Sequence, residues 1–299
     1  MVNSKQLTIR KIFLETLTDK PNIYIYQIFY DDASRAKLNP QFIGLDNCIN
    51  ERPDWFEFWP IRNFLLNNKL EENSWYGFLS PNFSAKSGFS ADFVKKIIND
   101  FSDKSDVALF THSWDQLAYF LNPFEHGESW HAGLMEESQK FVDSIDLEVD
   151  LKTLVTYNTI SVYSNYIIAK PNFWKEWLRL ASQFFDYAES ELSGLRKLTA
   201  SYGYQDNQVS MKTFIQERLA TLLLSQHEFN VVVPNQSHSA PISSIIFKED
   251  KHTRPALQAL DFLKEKYSLT KDKIYLEMYY KIRDEITFVP PSVAFSHSA

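Results

Sequence analysis

The sequence predicts an α/β fold, in which a mixed, mostly parallel central sheet is flanked by helices and followed by a helical C-terminal extension. Short apolar strands alternate with amphipathic helices over the first 110 residues, and this alternation is typical of sheets built from strand–helix–strand units. The 299 residues are 44% hydrophobic, which is enough for one large core. We expect an N-terminal helix at residues 1–21, an α/β domain at residues 22–240, and a helical extension with a tail at residues 241–299.

Each element has a local reason in the sequence. Residues 22–30 (NIYIYQIFY) alternate β-branched and aromatic side chains, as a buried strand does. Ser90 stands before apolar side chains at helical spacing, so it is a predicted helix N-cap. Strands are predicted at residues 22–30, 41–45, 75–79, 106–110, 162–169 and 230–234. Helices are predicted at residues 55–67, 90–101, 171–185, 211–224, 255–267 and 271–286.

Composition excludes several classes of protein. A net charge of −7 without a basic face argues against a nucleic-acid-binding protein. The lone Cys48 excludes an intrachain disulfide and a cysteine-based zinc site, and it favours a reducing, cytoplasmic location. No apolar run is long enough to cross a bilayer. The basic residues of the predicted N-terminal helix fit a solvated helix face better than a membrane-bound one.

Four motifs carry a resemblance to a known family. Leu45-Asp46-Asn47 is followed by Glu57 and Trp59. The next three are WYGFLSPNF at residues 75–83, SNYIIAKPNFWKEWL at residues 164–178 and FIQERLATLLL at residues 214–224. In this order the chain resembles, over residues 22–235, the glycosyltransferase-like proteins encoded in bacterial capsule and O-antigen gene clusters.

The resemblance implies an A-type nucleotide-sugar transferase fold. It implies a cytoplasmic enzyme, with peripheral association at the inner face of the cell membrane as an alternative. The donor would be a nucleotide-activated sugar, and the acceptor a glycan or a lipid-linked saccharide in surface-polysaccharide synthesis. No nucleic acid is expected as a partner.

Polar side chains follow the predicted strands, and ligands of open α/β sheets bind beyond the carboxyl ends of the strands. Asp32, His112 and Asp115 are among the side chains expected to converge at this rim. The donor site is expected to contain Tyr30, Asp31, Asp46, Asn47, Arg52, Glu57, Ser80, Asn82 and Lys86.

The expected metal site is missing its usual ligands. Classical A-type enzymes carry an acidic pair that binds Mn²⁺ or Mg²⁺ where this chain has Ser80-Pro81-Asn82. We therefore expect no metal site here, and a donor diphosphate held by cations and hydrogen-bond donors, with Lys86, Arg52 and Arg62 as candidates. A displaced metal site at Asp31 and Asp32 is the alternative, although acids in turns are more often capping residues.

The segment at residues 113–133 is dense in reactive groups. Its glycines and proline among large aromatics predict a shaped loop. An inverting glycosyl transfer needs a carboxylate to accept the proton of the acceptor hydroxyl, and Glu128 or Glu125 is preferred, followed by Asp115. The alternative is a surface loop with solvated acids. Glu57 and Glu217 are the next candidates for the base.

The acceptor site is expected to contain Trp114, Trp130, His131 and Asn165. Trp55 and Trp59 could also stack on sugars, and at least two of these four tryptophans are expected in the core. Arg218 shares the apolar face of its predicted helix, so a structural ion pair is favoured over binding of a phosphate or an acceptor.

Two alternatives to a transferase remain. One is a catalytically silent relative that binds saccharide or scaffolds polysaccharide synthesis. The other is a glycoside hydrolase that uses Glu125 and Glu128 as its carboxylate pair. The sequence contains no phosphate-binding glycine loop, no Gly-x-Ser-x-Gly motif and no His-Glu-x-x-His motif, which argues against P-loop ATPases, α/β-hydrolases and zincins.

Overall fold

The computed structural model describes residues 21–289, except residues 192, 196–197 and 203–206. Its strands are β1 (Ile23–Phe29), β2 (Ile43–Asp46), β3 (Trp75–Leu79), β4 (Val107–Leu109), β5 (Ile167–Ala169), β6 (Thr199–Tyr202), β7 (Asn207–Ser210) and β8 (Val231–Val232). Its first helices are α1 (Asp32–Arg35), α2 (Phe58–Asn67) after a 3-10 turn at Pro53–Trp55, α3 (Phe83–Ser87), α4 (Ala91–Phe101), α5 (Trp114–Tyr119) and α6 (Pro123–Trp130). They are followed by α7 (Leu134–Ser144), α8 (Pro171–Glu189), α9 (Lys212–Gln216), α10 (Leu219–Gln226), α11 (Thr253–Thr270) and α12 (Lys273–Glu285). Residues 1–20 of the predicted N-terminal helix and the tail from residue 290 lie outside the described residues.

The central sheet is mixed and mostly parallel, as predicted. Its strand order is β2–β1–β3–β5–β4–β8. β1 pairs in parallel with β2 and β3, and β4 pairs in parallel with β8. β5 is antiparallel to both β3 and β4. The first residue of β5 therefore lies at the edge of the sheet where the other strands end, which we call the C-terminal edge.

The sheet buries both of its faces, because alternate residues of a strand point to opposite sides. Val107 and Leu109 join a core formed with α2, α7, α8 and α10. Ala108 lies on the other face, in a core formed with α3 and α4. Trp174 of α8 packs against Phe78 at 5.0 Å between ring centroids. Burying a ring such as that of Phe78 stabilises the fold by about 1.5–3 kcal/mol.

The C-terminal extension is helical, as predicted, and packs on α5. Leu257 and Leu260 of α11 and Tyr279 of α12 share a buried cluster with Tyr119. The buried Lys264 ammonium donates to the carbonyl oxygens of Leu117 (2.6 Å) and Phe120 (2.7 Å). These bonds satisfy carbonyls that the end of α5 leaves without intrahelical partners.

Residues 113–133 were predicted to form a loop, and this prediction is wrong, because the segment contains α5 and α6. Asn122 is the N-cap of α6, and its Oδ1 accepts from the backbone N–H groups of Phe124 and Glu125, both at 2.9 Å. Pro123 occupies the first turn, where its missing N–H costs nothing. Gly127 lies inside α6 because the Arg218 guanidinium packs against it: an added Cβ would lie 2.7 Å from Arg218 Nε.

The helix predicted over residues 211–224 is interrupted. α9 ends at Gln216 and α10 begins at Leu219, so Glu217 and Arg218 form a break between two short helices. Arg218 N–H donates to the Ile215 carbonyl oxygen, three residues back, at 3.0 Å. The break exposes part of Glu217 while Arg218 remains buried.

Candidate functional site

A cleft of about 240 Å³, which we call the edge cleft, opens at the C-terminal edge of the sheet. Ser80 follows β3, and His112 lies three residues after the end of β4. Asn165 and Tyr166 directly precede the antiparallel β5. The remaining lining residues come from the segment before β5 and from the helices around this edge or the residues that flank them: Glu57, Lys86, His126, Trp130, His131, Tyr163, Ser164, Phe214, Glu217 and Arg218.

Two carboxylates face the edge cleft. Glu57 directly precedes α2, and Glu217 lies at the break between α9 and α10. About 37% of the Glu217 side chain is exposed, but the walls of the cleft remove much of its hydration. This desolvation raises the pKa of the Glu217 carboxyl to about 7; the Arg218 cation lowers it, Glu57 raises it, and Lys86 lowers it. A carboxylate with such a pKa can exchange protons near neutral pH.

Two cations line the same cleft, and they differ in how far they are exposed to solvent. Lys86, in the last turn of α3, is exposed. Arg218 is 2% exposed, and it donates to the carbonyl oxygens of Pro123 (Nε, 2.7 Å) and Phe214 (Nη1). Burial lowers the pKa of Arg218 to about 10, so the guanidinium stays charged at neutral pH. Its Nη1 lies 3.7 Å from Glu217 Oε2, so Arg218 is held mainly by backbone carbonyls, whereas Lys86 can approach an anion.

His112 and His126 of the cleft are uncharged at neutral pH. Burial and, to a smaller extent, the charge of Lys86 lower the pKa of His112 to about 4. Burial also puts the pKa of His126 well below its ordinary value. His126 Nε2 lies 2.6 Å from Gln116 Oε1, and its ring stacks on Tyr163 at 4.7 Å between centroids. These rings therefore supply hydrogen bonds and flat surfaces, not positive charge.

Hydroxyl groups and aromatic rings complete the site. Ser80 Oγ lies 3.1 Å from Tyr166 Oη, and Tyr163 Oη donates to the His112 carbonyl oxygen at 2.7 Å. His131 stacks on Phe214 at 3.5 Å between centroids. The cleft thus combines a carboxylate that titrates near neutral pH, an exposed cation, hydroxyls and rings in one space.

Comparison with protein-family models, curated proteins and solved structures finds no match for this chain.

The edge cleft brings together six of the residues predicted for the donor and acceptor sites. Those predicted for the donor are Glu57, Ser80 and Lys86, and those predicted for the acceptor are Trp130, His131 and Asn165. They come from five separate segments of the chain. Of the strand ends predicted to converge, those of β3, β4 and β5 meet here, whereas the residues that follow β1 and β2 lie outside the cleft.

The other predicted donor residues lie outside the edge cleft, and local contacts engage most of them. Asp31 caps α1 by accepting from Ser34 N–H at 2.6 Å, and Asp46 accepts from Cys48 N–H at 2.8 Å. Arg52 pairs with Asp54 and Glu189. Asn47 donates to Asn50 Oδ1 at 3.3 Å, Asn82 directly precedes α3, and Tyr30 is 44% exposed after β1.

The three carboxylates predicted to act as the base also lie outside the edge cleft. Glu128 accepts from the backbone N–H groups of Gly133 (2.9 Å) and Met135 (2.8 Å). Glu125 pairs with Arg283 at 2.7 Å. Asp115 is fully buried and accepts from Ser243 N–H at 2.7 Å. Glu125 and Glu128 therefore lie in helix α6, where both make structural contacts, and not in the predicted loop.

The tryptophans divide between core and cleft. Trp55 is fully buried and donates its indole N–H to Glu189 Oε1 at 2.9 Å. Trp59, Trp114 and Trp130 are half-buried and pack against core clusters. Trp130 lines the edge cleft, and Trp114 lines a second cleft beside it.

His126 and Tyr163 line the cleft but were not among the residues predicted for the donor, acceptor or catalytic site. Gly127 inside an aromatic segment carried the missing information, because a helix glycine marks a close approach by another group, here Arg218. This close approach could not be predicted from the sequence, because it depends on the tertiary contact between α6 and the helix break at residues 217–218.

Metal ligands do not cluster among the described residues: no group of three or more His, Cys, Asp or Glu side chains could hold an ion. The backbone of the turn after β3 is bound to β1, because Gln27 Nε2 donates to the Ser80 carbonyl oxygen at 3.1 Å. In the part of the chain that the structure describes, no helix is long and apolar enough to cross a membrane.

Proposed function

We propose that this chain is a glycosyltransferase that moves a sugar from a nucleotide-activated donor to a glycan or lipid-linked saccharide in bacterial surface-polysaccharide synthesis. The observation that carries the proposal is the position of Glu217. Its carboxyl, with a pKa of about 7, lines the same cleft as Lys86 at the C-terminal edge of the sheet. Ligands of open α/β sheets bind at this edge. The mixed, mostly parallel sheet supports an A-type-like fold, and a cytoplasmic location, at the membrane face when the acceptor is lipid-linked, belongs to the same proposal.

The proposed reaction assigns each group a step. The acceptor hydroxyl oxygen attacks the anomeric carbon of the donor and forms the new glycosidic bond. The hydroxyl proton passes to the Glu217 carboxylate. The bond between the anomeric carbon and the diphosphate oxygen breaks, and its electron pair leaves with the nucleoside diphosphate. Lys86 stabilises the charge that develops on the leaving phosphate, and the hydroxyl and amide groups of Ser80 and Asn165 orient the sugars.

Donor binding tests this proposal. Thermal denaturation with UDP-, GDP-, CMP- and dTDP-sugars, with and without Mn²⁺, should identify one nucleotide class that raises Tm, because a ligand that binds only the folded state stabilises it. At a ligand concentration of 100 Kd the stabilisation is about 2.7 kcal/mol. Lys86→Ala should reduce the shift, whereas Lys96→Ala, which changes an exposed lysine of α4, should not. No shift with any nucleotide sugar would contradict the proposal.

A carboxylate-pair glycoside hydrolase is the second candidate function. Glu57 and Glu217 line the same cleft, and the Glu57 charge contributes to the raised pKa of Glu217. A carboxyl group with a raised pKa beside an ionised one is the acid–base pairing of many hydrolases. The pair proposed from the sequence, Glu125 and Glu128, is engaged in structural contacts. Release of reducing sugar from oligosaccharides without any nucleotide would favour the hydrolase.

A further inference from the structure

A second cleft, of about 250 Å³, lies between the C-terminal edge of the sheet and helix α11, and we call it the helix cleft. It is a neighbour of the edge cleft, because Thr111 lines the former and His112 the latter. Adjacent Cα atoms are only about 3.8 Å apart. The residues on which the inference rests are Thr111, Trp114, Gln258, Asp261, Phe262 and Glu265.

The charge of the helix cleft differs from that of the edge cleft. Its described lining residues include Asp261 and Glu265 but no lysine, arginine or histidine. Arg254 lies over the Trp114 ring at 5.4 Å, but its guanidinium donates to the Ser237 carbonyl oxygen and pairs with Glu249. An anionic ligand such as a diphosphate would therefore be repelled from the helix cleft, whereas a neutral one would not.

The helix cleft offers hydrogen-bonding groups that are already fixed in place. Thr111 is 7% exposed, and its hydroxyl has no partner among the described residues. The Asp261 carboxylate is held by Asn158 N–H, which donates to Oδ1 at 3.0 Å. Gln258 Nε2 donates to the Ser237 carbonyl oxygen at 3.2 Å and to the Ser237 hydroxyl at 3.1 Å. A hydroxyl, an amide and two carboxylates can satisfy several ligand hydroxyl groups.

An aromatic surface accompanies these polar groups. Phe262 is 52% exposed although it lines the cleft, and the half-buried Trp114 lines the same cleft. Saccharides match this lining, because they combine many hydroxyl groups with apolar C–H faces. The volume lies slightly below the roughly 300 Å³ of clefts that enclose drug-sized ligands, so it would hold one or two sugar rings, with the rest of a glycan outside.

We propose that the helix cleft binds a neutral saccharide and serves as the subsite for the non-reacting part of the acceptor. Its role as an acceptor subsite rests on the proposed transferase function; its binding of saccharide does not. The boundary at residues 111–112 would let a glycan held in the helix cleft reach the edge cleft, where Glu217 lies.

Saturation-transfer-difference NMR without any nucleotide tests the binding. The probes are cellotriose, maltotriose and chitotriose, with 3′-sialyllactose as an anionic comparison. At least one neutral trisaccharide should show saturation transfer that Phe262→Ala reduces at least fivefold. Phe101→Ala, which removes a similarly exposed ring at the end of α4, should leave it unchanged. Thr111→Val, which keeps the shape of the side chain, should also weaken the transfer.

Three outcomes would overturn the proposal: no transfer to any neutral trisaccharide, equal transfer in Phe262→Ala and the unmodified protein, or stronger transfer to 3′-sialyllactose. The nucleotide-sugar thermal shift should be the same in Phe262→Ala and in the unmodified protein. Failure of donor binding and failure of saccharide binding are therefore separate results.

Discussion

At the scale of single residues, Glu217 is placed where its charge is disfavoured. Desolvation, opposed by Arg218, raises its pKa to about 7, above the roughly 4.3 of a glutamate in an unfolded chain. Between these pH values the folded state binds more protons than the unfolded state, so this group makes the protein less stable as pH rises from about 4 to about 7. A functional carboxylate that costs stability is common at active sites.

Glu217→Gln should therefore raise Tm at pH 8, where the unmodified protein carries the disfavoured charge, and the difference should vanish near pH 4. Thermal denaturation across this pH range measures it. Glu228→Gln, which changes an exposed glutamate two residues after α10, serves as the control and should show no such pH-dependent gain. A lower Tm for Glu217→Gln at pH 8 would mean that its pairing with Arg218 outweighs desolvation.

Gly127 fixes the position of Arg218. An added Cβ would lie 2.7 Å from Nε and 2.8 Å from Cζ of the guanidinium, so Gly127→Ala would displace the bond from Arg218 to the Pro123 carbonyl oxygen. We expect a loss of about 1–3 kcal/mol in the free energy of unfolding, the usual cost of overpacking, measured by urea denaturation. Gly44→Ala meets only side-chain carbons of Phe29 and Leu38 at 3.3 Å or more and should cost less. Equal losses would show that the contact with Arg218 is not the cause.

At the scale of secondary-structure elements, the turn after β3 reads Ser80-Pro81-Asn82, where the proposed A-type fold would place an acidic pair. The carbonyl oxygens of Ser80 and Pro81 accept from Gln27 Nε2, which holds the turn against β1. We expect donor affinity, measured by calorimetry, to change less than about threefold on addition of EDTA. A collapse of affinity on chelation would favour a metal site at Asp31 and Asp32.

Helix α6 explains why the sequence ranked Glu125 and Glu128 ahead of Glu217 as the candidate base. Glycine and proline at residues 113–133 indicated a loop, but Pro123 stands in the first turn of a helix and Gly127 packs against Arg218. Once the segment is helical, Glu125 and Glu128 turn toward Arg283 and the Gly133 backbone. Tertiary packing therefore determines that this segment is helical, and its local composition does not reveal this.

At the scale of the whole molecule, the C-terminal helices share a core with α5, which leads from the sheet. The buried Lys264 joins them through two backbone carbonyls. Lys264→Met should leave both carbonyls unsatisfied and lower the free energy of unfolding by about 1–3 kcal/mol. We expect one transition, monitored by both tryptophan fluorescence and circular dichroism, to shift as a whole. Separate transitions for the two probes would show that the extension unfolds independently.

The sheet was predictable because its strands are apolar, short and bounded by polar turns, and those patterns depend on local sequence. The antiparallel direction of β5 was not, because residues 162–169 read as a strand in either direction. Strand ends predicted Ser80 and Asn165 as cleft residues correctly. Asp31 and Asp46 were predicted on the same grounds, and Arg52 as a cation for the donor diphosphate, but each is engaged in a local contact that sequence spacing does not distinguish from a ligand site.

The most direct test of the central claim is the rate of sugar transfer by Glu217→Gln, with the donor identified by the thermal-shift screen. The amide keeps the shape of the side chain and removes the proton acceptor. Transfer should fall by about 10²–10⁴-fold, the usual contribution of a general base, while donor affinity measured by calorimetry stays within about threefold. Glu128→Gln, whose carboxylate caps a backbone turn, should retain transfer. Full transfer in Glu217→Gln, or its loss in Glu128→Gln alone, would contradict the assignment of Glu217 as the base.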